Sequence, residues 1–305
     1  MDFFVQQLVN GVTLGSVYAL IALGYSMVYG ILKLLNFAHG EVYMMGAFIG
    51  YFVLTALGGS SSPILPVALV LILMFLAGML GAGILGVVIE RFAYRPLRNA
   101  PRIAPLISAI GVSFFLQASA LLLFTAQFRT YDTPQLIPPS TRVDAGPLHI
   151  SLVRMLVIGS SIVLMIALTL LVSRTRLGKA MRAVSYDREA AAMMGIDPDR
   201  VIVATFFIGS VLAGAAGVMV GLVFERVFHF MGFIAGLKGF TAAVIGGIGN
   251  IPGAMLGGLL IGLAEAFSSS YISSTFQNLI VFGILITVML VRPTGLLGSP
   301  ALSKV

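Results

Sequence analysis

Long runs of apolar residues, each close to the length needed to cross a lipid bilayer, dominate this chain of 305 residues. A helix needs roughly 20 such residues to span about 30 Å of hydrocarbon. Hydrophobic residues make up 59% of the sequence and charged residues only 10%, whereas about a quarter of the residues in soluble domains are charged. The runs therefore predict an all-α polytopic membrane protein, with residues 1–305 forming a single transmembrane domain.

The apolar runs predict about eight transmembrane segments, two of them interrupted. We expect broken or re-entrant helices near 33–42 and 236–253. The second interruption follows from the glycine-rich stretch Gly246 to Gly253, whose flanks are too short for two ordinary crossings. Non-helical backbone at that depth is tolerated only inside protein or beside a cavity. The runs cover residues 9–32, 42–57, 63–90, 103–124, 152–172, 201–224, 233–267 and 276–291.

Basic residues concentrate in two polar connections and so predict the orientation of the chain. Residues 91–102 and 174–200 together hold ten of the 18 lysines and arginines, whereas residues 125–151 hold only Arg129 and Arg142. Because connections rich in lysine and arginine stay in the cytoplasm, the first two are predicted to be cytoplasmic and the third extracytoplasmic. A single crossing by 233–267 would place Arg292 and Lys304 outside, so the same rule favours a broken pair in that region.

Polar residues interrupt the apolar pattern between the first two runs, in the stretch from Asn36 to Glu41. Ionisable residues in the membrane interior are costly and usually functional, although an interfacial turn with Glu41 in headgroup water is an open alternative. Glu265 is a second buried candidate, for function or for a structural pair. Freed backbone groups at broken helices can meet the charged ends of a zwitterion. The predicted translocation-path residues are Asn36, His39, Glu41, Gly246, Gly247, Gly249, Asn250 and Glu265.

The second basic connection contains a segment that predicts a short helix with an exposed alanine and methionine face. Acidic residues at its start favour a helix N-terminus and a glycine can end it. An adaptable methionine face held between two spans suits the docking of a soluble partner; the alternative is a helix lying on lipid headgroups. The predicted docking residues are Asp187, Glu189, Ala190, Ala191, Met193, Met194 and Gly195.

Enzyme signatures are missing from the sequence. It has no phosphate-binding loop and no zinc-protease, nucleophile-elbow or EF-hand pattern. It also has no cysteine and only three scattered histidines. We therefore expect a non-catalytic chain that binds no metal or cofactor and cannot hydrolyse ATP by itself. The net charge of +7 comes from residues that flank apolar spans, which indicates membrane topology rather than a nucleic-acid partner.

Five motifs, taken together, resemble the branched-chain amino acid ABC importer permeases, specifically their H-type (LivH-like) subunits. The similarity covers nearly the whole chain, and only the combination of motifs is specific to the family. The motifs are NGVTLGSVYAL at residues 10–20, NFAHGE at 36–41, ERFAYRPLR at 90–98, TAAVIGGIGNIPGA at 241–254 and RPTGLLG at 292–298.

The resemblance implies a multi-pass subunit of an ATP-driven importer in the bacterial inner membrane. Such permeases pair with a homologous second permease subunit, two ATP-binding cassette subunits that carry ATP and magnesium, and an extracytoplasmic substrate-binding protein. It also implies that 174–200 is a cytoplasmic coupling loop. Glu189, Ala190, Ala191 and Gly195 resemble the general importer coupling pattern, but no Leu-Pro follows Gly195.

The substrates implied by the resemblance are leucine, isoleucine, valine or related amino acids. Related permeases carry urea or short amides, and these substrates stay open because the sequence shows no readable selectivity code. An ion-coupled secondary transporter using Glu41 or Glu265 is an alternative from another class, and it predicts transport by this chain alone. A membrane-embedded enzyme would need a clustered catalytic set, which the sequence does not show.

Overall fold

The computed structural model describes residues 2–98, 100–101, 103–138, 141–145 and 148–298. Arg102 and Lys304, which entered the charge argument, lie outside these residues. The helices of the described chain are α1 Asp2–Leu32, α2 His39–Ala56, α3 Val67–Ile89, α4 Ile103–Phe124, α5 Thr133–Leu136, α6 Leu152–Arg174, α7 Arg176–Tyr186, α8 Arg188–Met193, α9 Pro198–Phe224, α10 Met231–Gly246, α11 Ile251–Tyr271 and α12 Gln277–Val291.

The predicted fold class, an all-α polytopic membrane protein, is confirmed. Six helices are long and apolar enough to cross a membrane, with 21 to 31 residues each. Three shorter helices complete the bundle: α2 with 18 residues, α10 with 16 and α12 with 15. The third segment begins at Val67, after Pro66, instead of at residue 63. It ends in a π-helical turn over Glu90–Tyr94 and a 3-10 turn over Arg95–Leu97.

Both predicted helix interruptions are present. Residues 33–38 join α1 to α2 and residues 247–250 join α10 to α11, in each case without helical structure. Gly247 and Gly249 have φ values of 106° and 90°, a backbone region that side chains with a Cβ rarely adopt. The backbones of α10 and α11 meet at Gly246 and Gly253 on either side of this turn. The seventh apolar region is therefore an antiparallel pair of helices and not one crossing.

The chain contains an inverted structural repeat, in which α1–α3 correspond to α9–α11. In both halves a long helix leads through a six-residue connector, 33–38 or 225–230, into a short helix. Both connectors start with a non-glycine residue in the left-handed region, Lys33 at φ 56° and Glu225 at φ 61°. The second and third helices of each half pack against the long first helix of the other half. Helices α2 and α3 contact α9, and helices α10 and α11 contact α1. Repeats of this kind are common in membrane transporters.

Helices α1 and α9 form the centre of the bundle. Within its most apolar stretch α1 is 89% buried, whereas the corresponding stretch of peripheral α6 is 17% buried. Close contacts at the centre depend on glycine, because a methyl group at Gly46 of α2 would lie 2.5 Å from the Cα atom of Gly214 in α9. Without a hydrophobic force between helices in lipid, such backbone approach supplies much of the packing.

The two basic segments lie at the same end of the bundle, as the charge pattern requires. Arg95 Nη2 of the first segment is 2.9 Å from Asp199 Oδ2, which lies near the end of the second segment, in the first turn of α9. At the opposite end, strand β1 Arg129–Thr130 pairs antiparallel with β4 Arg226–Val227. A hairpin at the same end joins β2 Arg142–Ala145 to β3 Leu148–Ser151. The assignment of the basic end to the cytoplasm stays a prediction from the positive-inside rule.

Candidate functional site

The N-termini of the two short helices meet inside the bundle. Gly40 in the first turn of α2 and Gly232 in the first turn of α10 lie backbone to backbone, and a side chain at either would collide with the other helix. Neither helix has a side-chain N-cap. Backbone carbonyl groups just before each helix accept from part of its first turn, and both helix ends carry partial positive charge. We call the meeting point of these two helix ends the junction.

The predicted polar residues Asn36, His39 and Glu41 are all buried at the junction, exposed by 3% or less. The Tyr94 hydroxyl donates to Asn36 Oδ1 at 3.0 Å, which ties the connector to the end of α3. His39 lies edge-on to Tyr25, with ring centroids 4.8 Å apart. The interfacial turn is therefore excluded, because these side chains are enclosed by protein and not by headgroup water.

The two oxygens of the Glu41 carboxylate have different surroundings. Oε1 accepts from Gln117 Nε2 at 2.7 Å and from Ser113 Oγ at 3.2 Å, both donated by α4. Oε2 is buried without a hydrogen-bond partner among the described residues and lies against the first turn of α10 at Gly232. The junction therefore has one strong acceptor without a partner beside two helix N-termini. Such an unpaired buried carboxylate oxygen lowers the stability of the fold.

An apolar cavity of about 230 Å³ lies beside the junction, between α4 and α10. Ser113, which binds Glu41, contributes to its wall, as do Gly232 and Gly236 from the first two turns of α10. The other walls are aromatic and aliphatic, which suits an apolar side chain. They consist of Tyr25, Phe37, Ile110, Phe114, Phe233 and Leu237. We call this space the junction cavity.

Two larger cavities lie toward opposite ends of the bundle. One, of about 740 Å³, is lined by Val17 and Tyr18 of α1 and by Glu225 at the non-basic end. The other, of about 520 Å³, is lined by Met27 and Gly30 of α1 and by Arg182 of α7. Residues 19–25 of α1, all buried, separate the two cavities along this helix. The described chain therefore has one cavity toward each end of the bundle, with a buried segment of α1 between them.

Glu265 is part of a buried ion pair. Lys238 Nζ of α10 lies 2.6 Å from Glu265 Oε1, and the Tyr18 hydroxyl donates to Oε2 at 2.9 Å. Both oxygens of this carboxylate thus have partners, unlike those of Glu41. The sequence left open whether Glu265 serves function or a structural pair, and these contacts favour the structural pair. The role of Glu265 in the translocation path stays a prediction.

The residues predicted at the second break lie near the basic end and not at the junction. Gly249 faces Gly30 of α1 beside the 520 Å³ cavity. Asn250 caps α11 by accepting from Gly253 N at 3.0 Å and donates to Leu297 O at 2.7 Å. The last described residues therefore bind this turn, because Leu297 N also donates to Gly246 O at 3.0 Å. Gly249 and Asn250 line that cavity. It remains a prediction that the translocation path includes this turn, with Gly246, Gly247, Gly249 and Asn250.

The predicted short helix of the basic end is α8, and its start is capped as expected. Asp187 Oδ1 accepts from the backbone N–H groups of Glu189 and Ala190, each at 3.0 Å. Gly195 follows the helix with φ 80°. Ala191 anchors α8 in the protein at 4% exposure, while Met193 and Met194 are 83% and 82% exposed. Among the described residues, none covers the face formed by Ala190, Met193 and Met194, and its docking role stays a prediction.

A charge cluster that the sequence did not reveal links α3 to the segment around α8. Arg98 binds both Glu90, at the end of α3, and Asp199, at the start of α9. Glu90 is fully buried. In the sequence, the only sign of the Glu90–Arg98 pair is that Glu90 ends an apolar run eight residues before Arg98. Gln117 and Ser113 were missed in the same way, although each is a polar residue within an apolar run.

Comparison with known proteins gives a consistent result along the whole chain. A family model described as the permease component of branched-chain amino acid transport systems matches residues 7–291. The chain is 45% identical to the high-affinity branched-chain amino acid transport system permease protein BraD of Pseudomonas aeruginosa, across 99% of this chain and 98% of that relative. It is also 45% identical to LivH of Escherichia coli K12, which has the same description, across the same shares of both chains.

Proposed function

This chain belongs to the family of permease components of branched-chain amino acid transport systems, and we propose that it carries leucine, isoleucine and valine inward as part of an ATP-driven importer. The observation that supports the substrate class is the shared description of relatives that are 45% identical over 99% of the chain. A multi-pass permease in a bacterial inner membrane also agrees with its six candidate membrane-spanning helices.

The proposed complex contains a second, homologous permease, two ATP-binding subunits that hold ATP and magnesium, and an extracytoplasmic binding protein. The exposed face of α8 supports an ATPase partner. Met193 and Met194 project at the basic end from a helix anchored through Ala191, and methionine-rich surfaces adapt to partners. The position of α8 between α7 and the start of the central helix α9 supports a coupling role for this helix.

The proposed cycle alternates access to the junction from the two ends. ATP-driven closure of the partner subunits moves α8, and Asp199 passes that motion to α3 through Arg95 and Arg98. The two halves of the inverted repeat then rock about the glycine contact between α2 and α10. Because a ligand that binds both states equally shifts neither, the free energy comes from ATP on the partners.

A reconstitution experiment tests this function. The chain is purified with candidate partner subunits from the same genome and placed in vesicles, and uptake of labelled leucine, isoleucine, valine, urea and acetamide is measured with the binding protein present. We expect ATP-dependent uptake of the three branched-chain amino acids, and none with a non-hydrolysable ATP analogue. Uptake of urea or acetamide alone would contradict the substrate class, and gradient-driven uptake by this chain alone would establish a secondary transporter.

A further inference from the structure

We infer that the junction cavity is the transient binding site of the translocated amino acid, with Glu41 Oε2 accepting its ammonium group and the first turn of α10 receiving its carboxylate. This inference rests on the proposed function and adds where the substrate stops and which groups recognise it. It assigns the aliphatic side chain of the substrate to the apolar walls between α4 and α10.

The first argument is the unsatisfied acceptor. Glu41 is exposed by only 1%, and Oε2 has no hydrogen-bond partner among the described residues. A group that served only to neutralise the helix N-termini would gain from hydrogen bonds to both oxygens, as Glu265 does. A charged donor that arrives and leaves, such as an amino acid ammonium group, explains why one oxygen is kept free.

The second argument is the uncapped end of α10. Its first turn has no acidic residue and no side-chain cap. Met231 N donates to Phe228 O, so the anion site consists of the following N–H groups, those of Gly232 and Phe233. Gly232 and Phe233 of this turn line the cavity. A methyl group at Gly232 would lie 2.5 Å from Glu41 Oε2, which puts the acceptor and the anion site within the width of one α-amino acid.

The third argument is the size and polarity of the cavity. A cavity of roughly 150 Å³ lined by aliphatic and aromatic residues can hold benzene, so about 230 Å³ suffices for one small amino acid. Ile110, Phe114, Phe233 and Leu237 provide an apolar wall that favours a branched aliphatic side chain over a polar one.

Loading this site requires a movement of α10 against α2. Oε2 has no accessible surface in the present arrangement, because Gly232 covers it. Gly40, Gly232 and Gly236 bring the backbones of the two helices together, and their lack of side chains lets this part of the contact slide without side-chain repacking. In this arrangement the acceptor is covered, and rocking of the repeats uncovers it.

A photolabelling experiment on the complete complex tests the inference. Leucine carrying a diazirine in its side chain is delivered by the binding protein to reconstituted complexes, trapped with a non-hydrolysable ATP analogue and activated by light. Mass spectrometry then locates the adducts on this chain. We expect them on the peptides that contain Ile110, Phe114, Phe233 or Leu237. Adducts confined to other segments, such as those lining the 740 Å³ cavity, would overturn the inference.

Substitutions at Glu41 test the assigned contact. Glu41→Gln keeps an oxygen for Ser113 and Gln117 but removes the charge, so we expect at least tenfold less labelling and uptake, with unchanged co-purification of the subunits. Glu41→Asp keeps the charge and should restore part of both. Asp132→Asn removes an exposed carboxylate and serves as the control. Wild-type labelling by the glutamine variant would refute the role of Glu41.

The outcomes separate this inference from the proposed function. If the wild-type complex takes up leucine but the adducts lie elsewhere, only the inference fails. If the wild-type complex takes up no branched-chain amino acid, the proposed function fails and the inference with it. The positions of the wild-type adducts decide the question even if neither Glu41 variant assembles.

Discussion

Tyr18 and Lys238 bind the two oxygens of a single carboxylate, that of Glu265, from two different helices. The Tyr18 hydroxyl donates at 2.9 Å and Lys238 Nζ at 2.6 Å, so α1, α10 and α11 meet at one buried group. In the other half of the repeat, Glu41 has partners among the described residues on only one oxygen. The carboxylate of Glu265 therefore joins three helices, whereas that of Glu41 keeps one acceptor beside the contact of α2 with α10.

Replacement of Lys238 by methionine is expected to destabilise the protein by about 3–5 kcal/mol, because it leaves the Glu265 charge buried without its cation. The double variant Lys238→Met/Glu265→Gln should recover most of this loss, since the amide oxygen still accepts from Tyr18. Thermal unfolding in detergent, followed by size-exclusion chromatography, measures both effects. A single variant as stable as the wild type would show that the ion pair contributes nothing.

Alanine at Gly46 is expected to lower stability by about 1–3 kcal/mol through overpacking. The new methyl group would lie 2.5 Å from Gly214 Cα and 2.9 Å from Gly214 O, both backbone atoms that cannot move aside. Gly159→Ala is the matched control, because nothing lies within 4 Å of its added methyl group. Helix propensity should make that control roughly 0.5–1 kcal/mol more stable. Equal unfolding temperatures for the two variants would contradict the close packing of α2 on α9.

Replacement of Arg98 by methionine should cost about 3–5 kcal/mol, because it leaves fully buried Glu90 without a cation. Asp199→Asn removes the other partner of Arg98, but the Asp199 side chain is 47% exposed, and pairs of that kind contribute about 1 kcal/mol or less. Chemical unfolding of both variants distinguishes the two contacts. Arg98→Met should lower the free energy of unfolding more than Asp199→Asn does. A larger loss of stability for Asp199→Asn would contradict the burial of Glu90 and the partial exposure of Asp199.

Glutamate at Met193 is expected to weaken association with the ATP-binding subunit at least tenfold, which corresponds to about 1.4 kcal/mol. The substitution places a charge on the exposed face of α8 that the partner would have to desolvate. Ala192→Glu adds the same charge to the same helix, away from the face shared by Ala190, Met193 and Met194, and should bind almost normally. Co-purification of the ATP-binding subunit measures both; equal binding by the two variants would exclude docking through this face.

Most helix positions follow from local sequence, because hydropathy is a property of each run. The run at 103–124 coincides with α4 and the run at 152–172 ends two residues before α6 does. The sequence predicts the start of α3 four residues early, because Pro63 and Pro66 both suit a helix start and only Pro66 is adjacent to the helix. The cap of α8 by Asp187 was predictable for the same local reason.

Contacts between distant residues could not be predicted in this way. Ser113 and Gln117 bind a carboxylate 72 and 76 positions away, and hydropathy says nothing about which face of α4 turns inward. The inverted repeat was also hidden, because the shared feature is backbone geometry at Lys33 and Glu225 and not side-chain identity.

The amino-acid sequence by itself determined that the chain lies in a membrane, where its helices run, which loops are basic and where the helices break, because each depends on a short stretch of residues and its transfer free energy. The tertiary structure alone decided that the two breaks have different surroundings. The break at 33–38 lies beside Glu41 and the N-termini of α2 and α10. The break at 247–250 is hydrogen-bonded to Leu297, among the last described residues. That difference depends on how helices far apart in sequence pack, and backbone approach at glycine, rather than hydrophobicity, controls packing in lipid.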